Sequence, residues 1–180
     1  CSDFSLAMGK RSDFIRIERD YYPTPIEAVR PLVPHLNRAP FHYTEPCAGD
    51  GRLVRHISAL TEGRAVCEAA YDTEPQDPSV MAWSAMDVTV ASMFITNPPW
   101  DRKVLHPLIE HLSSVAPTWL LFDADWMHTR QSAPMVARLQ KIVSVGRVKW
   151  IEGSKMTGKD NCCWYLFDAR HSGPAQFFGR

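Results

Sequence analysis

Apolar residues recur along the chain with two periods, one suited to strands and one to helices. Phe41-His42-Tyr43-Thr44 combines aromatic and β-branched residues and predicts a strand, followed by the turn residues Pro46, Gly49, Asp50 and Gly51. Leu53, Val54, Ile57 and Leu60 then share one helical face, and Gly63 marks the stop. A second strand is expected over 65–71. The stretch 72–79 holds two prolines and is too short for a full helix, so the next crossover is abbreviated before a strand near 80–86. A strand over 93–96 runs into Asn97-Pro98-Pro99-Trp100. Val104, Leu105, Leu108, Ile109 and Leu112 return to helical spacing, and 119–122 reads as a buried strand. A helix over 130–140 and strands over 142–150 and 162–167 complete the pattern, the two strands joined by a loop holding Gly153 and Gly158.

At the other end, Thr24, Pro25 and Glu27 predict a helix start in which Thr24 caps, Pro25 takes the first position and Glu27 closes a capping box. Pro31 and Pro34 limit or kink that helix. Residues 1–20 mix charges without periodicity and are expected to be an N-terminal extension to a single domain over 21–180. Strands alternating with helices and ending in a hairpin predict an α/β fold: a Rossmann-like, doubly wound, mostly parallel sheet with a C-terminal antiparallel hairpin and abbreviated middle helices. Ligands of such sheets sit at the carboxyl ends of the strands.

The chain of 180 residues is 45% hydrophobic and 11% aromatic, enough to bury a core and unlike a disordered or collagenous sequence. No apolar run reaches a membrane span, and the start lacks a signal-peptide profile, so a cytoplasmic setting is expected. Five cysteines, two of them adjacent, argue against a disulfide framework. The cysteines and scattered histidines lack zinc spacing, so no metal is expected. Twenty basic residues balance twenty acidic ones, which excludes a uniformly cationic nucleic-acid binder.

Two segments carry chemistry. Glu45-Pro46-Cys47-Ala48-Gly49-Asp50-Gly51 lies between a strand and a helix, with glycines where backbone turns tightly or approaches a ligand. It is neither a Walker loop nor a full dinucleotide fingerprint. In Asn97-Pro98-Pro99-Trp100 the prolines stiffen an extended backbone, so the Asn97 amide oxygen and the Pro98 carbonyl form two preorganised acceptors beside the face of Trp100. That arrangement suits a planar ring bearing an amino group.

From Tyr21 to Asp168 the sequence resembles class I S-adenosylmethionine-dependent amino-methyltransferases, most closely the small phage-type adenine-N6 DNA methyltransferases. Tyr22-Pro23-Thr24-Pro25 is similar to their N-terminal cofactor motif, Glu45 to Gly51 to their glycine motif, and Asn97 to Trp100 to their catalytic motif. The resemblance implies S-adenosyl-L-methionine as cofactor and direct methyl transfer to the exocyclic N6 amine of adenine, with a bacterial or phage-encoded cytoplasmic setting. It implies a cofactor pocket formed by Tyr22, Thr24, Pro25, Glu45, Pro46, Cys47, Ala48, Gly49 and Gly51. Asp72 would hold the ribose, with Glu68 and Glu74 as alternatives, and Asp87 would meet the cofactor adenine. Asn97, Pro98, Pro99 and Trp100 would form the catalytic set. A duplex target adenine would have to leave the stack.

Charge is segregated: eight acids face three bases between Glu45 and Asp87, whereas seven bases face two acids between Arg130 and Asn161. Nucleic acid, DNA foremost, is expected on the basic stretch, with Lys155 and Lys159 on phosphate. Trp126, with Asp123 and Asp125 after the next strand, is expected to shape the substrate pocket. No separate target-recognition domain is expected. RNA adenine and protein glutamine are alternative acceptors, and a catalytically silent nucleic-acid-binding module is the non-enzyme alternative.

Overall fold

The order of strands, rather than their number, locates the crevice at which sheets of this kind bind ligands. The computed structural model describes residues 22–180 apart from Ser154, and the extension expected over 1–20 lies outside them. The strands are β1 (Phe41–Glu45), β2 (Ala65–Asp72), β3 (Met81–Ala82), β4 (Phe94–Thr96), β5 (Thr118–Asp123), β6 (Leu139–Arg147), β7 (Asn161–Phe167) and β8 (Gln176–Phe178). They form one sheet in the order β3-β2-β1-β4-β5-β7-β6-β8. β3 through β5 run parallel, and β7 enters antiparallel between β5 and β6. This is the expected Rossmann-like α/β sheet with its C-terminal hairpin.

The chain leaves β1 toward β2 and β3, then returns to build β4 on the opposite side of β1. The carboxyl ends of β1 and β4 therefore flank the crevice where strand order reverses, the standard ligand position in such sheets. Thr44 pairs with Phe94, which brings the residues following Glu45 and Thr96 out of the sheet side by side.

β5 shows why this region reads as a continuous apolar run, because both of its faces are covered. Trp119 and Leu121 join a core with Leu32, Leu53, Ile57 and Trp164. Leu120 and Phe122 join the opposite core with Leu105, Leu108, Ile109, Leu112 and Phe167. Helices α1 (Ile26–Val29) and α2 (Arg52–Leu60) serve the first core, and α3 (Arg102–Val115) serves the second.

Several local expectations are corrected. Thr24 does not cap α1: Pro25 holds the cap position, no side chain caps it, and the Thr24 hydroxyl is engaged elsewhere. The chain then tightens into a 3-10 helix, Arg30–His35, across Pro31 and Pro34. The helix expected over 130–140 is reduced to α4 (Ala133–Val136) after a 3-10 turn, because Leu139 already pairs in β6. The strand near 80–86 shrinks to two residues, and Asp87 lies in the 3-10 turn Ala85–Asp87. β8 escaped the sequence pattern, being three residues long and dependent on its parallel pairing with β6.

Candidate active site at the switch point

The turn after β1 is folded back over the end of β2 by backbone bonds. Ala48 N–H donates to the Tyr71 carbonyl at 2.7 Å, and Gln76 N–H donates to the Gly49 carbonyl at 2.9 Å. Gly51, at φ +71°, starts α2 in a left-handed conformation that disfavours a side chain. Asp72, the last residue of β2, ties the turn down: Oδ2 accepts from Gly49 N–H at 2.9 Å and Oδ1 from Glu74 N–H at 2.8 Å. Burial nevertheless pushes the Asp72 carboxyl above its ordinary pKa, against the bonds from Gly49 and Thr73. Each oxygen of a carboxylate keeps further acceptor capacity.

Glu45 ends β1 fully buried, and neither carboxyl oxygen has a hydrogen-bond partner of acceptable geometry. Burial is the dominant influence and pushes its pKa up to about 8, although Thr96 and the Cys47 backbone favour the charged form. Burial likewise pushes the Cys47 thiol far above the thiolate range, with Glu45 and Asp72 adding to the effect. Cys47 is thus a neutral wall residue rather than a nucleophile. Pro46 and Ala48 are buried beside it.

Across the crevice, Asn97 leaves β4 at the centre of a small network. Its Nδ2 donates to the Tyr22 carbonyl at 3.3 Å and to Thr24 Oγ1 at 3.1 Å, while its Oδ1 accepts from the Trp100 indole N–H at 3.2 Å. Pro98 is buried, and Pro99 and Trp100 are half-buried. The Trp100 ring meets Trp150 edge-on, with centroids 5.6 Å apart, and Trp150 in turn lies 6.3 Å from the Tyr22 ring. Asp101 caps α3 by accepting from Lys103 N–H, and Arg102 pairs with Asp123 at 3.3 Å, joining α3 to the end of β5.

Trp150 was not singled out from sequence, where it reads as the end of a strand. β6 in fact stops at Arg147, and the loop 148–160 is closed at its neck by Gly158 N–H donating to the Val148 carbonyl at 2.8 Å. A Cβ on Gly158 would lie 2.9 Å from that carbonyl and 3.2 Å from the Trp150 indole, so the glycine is what lets Trp150 fold in. An aromatic residue eight positions before a glycine in a basic loop was the available signal.

The other candidates divide. Thr24 and Pro25 lie beside Asn97, with Thr24 buried. Asp87 is exposed at the end of its 3-10 turn, with exposed Met86 in that turn and exposed Trp83 two residues before it. Lys155 and Lys159 are exposed on the loop that carries Trp150. Trp126 is a correction: it is 0% exposed, packs against Phe122, Tyr165 and Phe167, and donates its indole N–H to His106 Nε2 at 3.0 Å. Its ring belongs to the core and offers no substrate platform. Asp123 uses one oxygen to cap the turn at Asp125 and the other on Arg102.

The basic stretch is also divided by the fold. Arg138 anchors to the carboxyl-terminal end of α3 through Glu110, Ser113 and Ser114, and Lys141 lies near the start of β6, at the opposite end of the sheet from Asn97. Arg147, Lys149, Lys155 and Lys159 remain on the site side. Among the described residues no group of His, Cys, Asp and Glu could hold a metal ion, and no helix is long and apolar enough to cross a membrane.

No protein-family model matches the chain, and no curated protein sequence matches it either. Solved structures do. A protein from Listeria monocytogenes described as a class I S-adenosylmethionine-dependent methyltransferase superposes with a TM-score of 0.58 at 9% identity, over 93% of this chain and 68% of that one. The 23S rRNA methyltransferase ErmE gives 0.54 at 11% identity, over 84% and 71%. A dimethyladenosine transferase from Plasmodium falciparum gives 0.51 at 10% identity, over 82% and 62%. The fold is that of the class I methyltransferases.

Proposed function

We propose that this protein is an S-adenosyl-L-methionine-dependent methyltransferase acting on the exocyclic N6 amine of adenine in nucleic acid, with DNA as the leading substrate. The observation that carries the reading is the Asn97 amide: held at the switch point, its oxygen lies beside Trp100 and across the crevice from the buried carboxyl of Glu45.

The residues present fit the cofactor. A buried carboxyl without a partner is costly, and a cationic ammonium such as that of a methionine moiety would satisfy it. The turn Glu45 to Gly51, with Cys47 and Gly49, would line the methionine portion. Asp72 would accept from the ribose hydroxyls with its remaining lone pairs, and Asp87 would accept from the adenine amino group, with Trp83 and Met86 as apolar neighbours. Tyr22 and Pro25 would close this side. When bound, S-adenosylmethionine supplies an electrophilic methyl group.

The chain's own contribution is orientation and electrostatics. Asn97 Oδ1 and the Pro98 carbonyl would accept the two N–H bonds of the amine, which turns its lone pair toward the incoming methyl carbon. Trp100, backed edge-on by Trp150, would stack on the base. The amine proton leaves after nitrogen has become positively charged, so no strong base is required. Lys155 and Lys159, with Arg147 and Lys149, would contact phosphates.

RNA adenine is the second reading. It is favoured by the likeness in fold to an rRNA methyltransferase and a dimethyladenosine transferase. The deciding experiment offers DNA, RNA and protein together with methyl-labelled S-adenosylmethionine, then identifies the labelled residue by mass spectrometry after digestion. N6-methyladenine in DNA is the expected product. Label in RNA alone would move the substrate, label on protein glutamine would overturn the nucleic-acid reading, and failure to bind the cofactor would leave a silent module.

A further inference from the structure

A terminal amide can rotate by half a turn and exchange its acceptor for a donor, and the intrinsic torsional preference for either orientation is weak. For Asn97 that rotation would be decisive, because a reacting amine must meet an oxygen and would be repelled by an NH2 group. The surroundings of Asn97 resolve the choice chemically. The Tyr22 carbonyl can only accept, so it demands Nδ2 on its side. The Trp100 indole N–H can only donate, so it demands Oδ1 on the other. Thr24 Oγ1, buried with its residue at 4% exposure, accepts the second Nδ2 proton at 3.1 Å. Both amide protons are thereby used and Oδ1 keeps one lone pair.

Resting on the function proposed above, we infer that Thr24 and Trp100 are positioning residues that clamp the Asn97 amide with its oxygen toward the substrate amine. The clamp joins residues 73 positions apart in the chain, Thr24 ahead of α1 and Asn97 after β4. It gives the threonine of the Tyr-Pro-Thr-Pro segment a task distinct from touching the cofactor. It also distinguishes tryptophan from the other aromatic residues at position 100: phenylalanine could stack on a base, but it has no N–H to hold the oxygen.

The test compares wild type with Thr24→Val, Thr24→Ser and Trp100→Phe under saturating cofactor and acceptor. Thr24→Val keeps the shape and the stacking platform while removing the acceptor. Its kcat should fall about tenfold, the scale of one lost net hydrogen bond. KM for the acceptor and Kd for S-adenosylmethionine should stay within about twofold by the same reasoning, since the lost bond touches neither ligand. Thr24→Ser should restore turnover. Trp100→Phe should show a comparable loss in kcat together with a rise in KM from its smaller ring. A readout independent of activity uses selectively 15N-labelled asparagine, with the Asn97 signal assigned by Asn97→Ala. The Asn97 side-chain protons should exchange slowly in wild type and Thr24→Ser, and faster in Thr24→Val and Trp100→Phe. A Thr24→Val enzyme with wild-type kcat, or unchanged proton exchange in both disruptive variants, would overturn the clamp. Absence of methyl transfer by the wild type would instead overturn the proposed function, while the exchange measurement still decides the clamp.

Discussion

Replacing Glu45 with glutamine isolates the cost of a buried acid that can ionise. In the folded protein the carboxyl pKa is pushed from 4.5 to about 8, chiefly by burial. The folded state therefore holds a proton that the unfolded chain releases between these values. The stability linked to this group is complete below pH 4.5 and is lost as pH rises through about 8. At about 1.4 kcal/mol per pH unit, the full swing is about 5 kcal/mol. The Glu45→Gln side chain keeps the shape and cannot ionise, so the stability difference between variant and wild type should grow in the variant's favour from pH 5 to pH 9. For a domain of this size the swing corresponds to roughly 10–20 °C in Tm. Urea or thermal unfolding of both proteins across that range measures it. A difference that stays flat with pH would refute the assignment of a protonated, partnerless acid. The cofactor argument extends the test: an ammonium beside Glu45 stabilises the charged form, so binding near pH 7 should release a proton. Calorimetry in buffers of different ionisation enthalpy should detect that release in wild type and not in Glu45→Gln.

The remaining expectations concern the other edge of the crevice. Gly158→Ala places a Cβ 2.9 Å from the Val148 carbonyl and 3.2 Å from the Trp150 indole, so the loop neck must shift. Tryptophan near-ultraviolet circular dichroism should change and acceptor binding weaken, while the melting temperature moves little. Replacing Lys155 and Lys159 together with Ala should weaken nucleic-acid binding and flatten its salt dependence, by a slope of up to roughly 2 in log K against log salt. An unchanged slope removes the loop from the interface. Asn97→Ala should abolish transfer, seen as loss of labelled product, with cofactor affinity by titration largely intact.

The central part of the fold was legible because its elements are specified locally. α3 repeats its apolar residues at helical spacing, β5 is a short apolar run buried on both faces, and Gly49 and Gly51 take the positive φ that the sequence's turn chemistry anticipates. The hairpin was expected as well, although Leu139 rather than Ile142 begins it and the loop between its strands is longer. Where local logic failed, a distant partner had overridden it. Thr24 is a good cap by composition, yet Asn97 takes its hydroxyl from another part of the chain. β8 exists only because β6 offers it an edge.

The same distinction separates the candidate site's residue types from their placement. The α/β architecture and the two turns that meet at the reversal of strand order follow from neighbouring residues, since turn glycines, prolines and hydrophobic period are local properties. Packing in three dimensions was needed to make Trp126 core and Trp150 wall, because an indole is equally suited to either until its surroundings are known. Packing also split the basic stretch, with Arg138 and Lys141 at one end of the sheet and the lysines of the loop at the other. A strand carries charge from one end of the molecule to the other within nine residues, so net charge along a sequence does not map onto one surface. The orientation of the Asn97 amide belongs to the same class: Trp100 is a neighbour in sequence, but Tyr22 and Thr24, more than 70 positions away, reach the amide only through the fold.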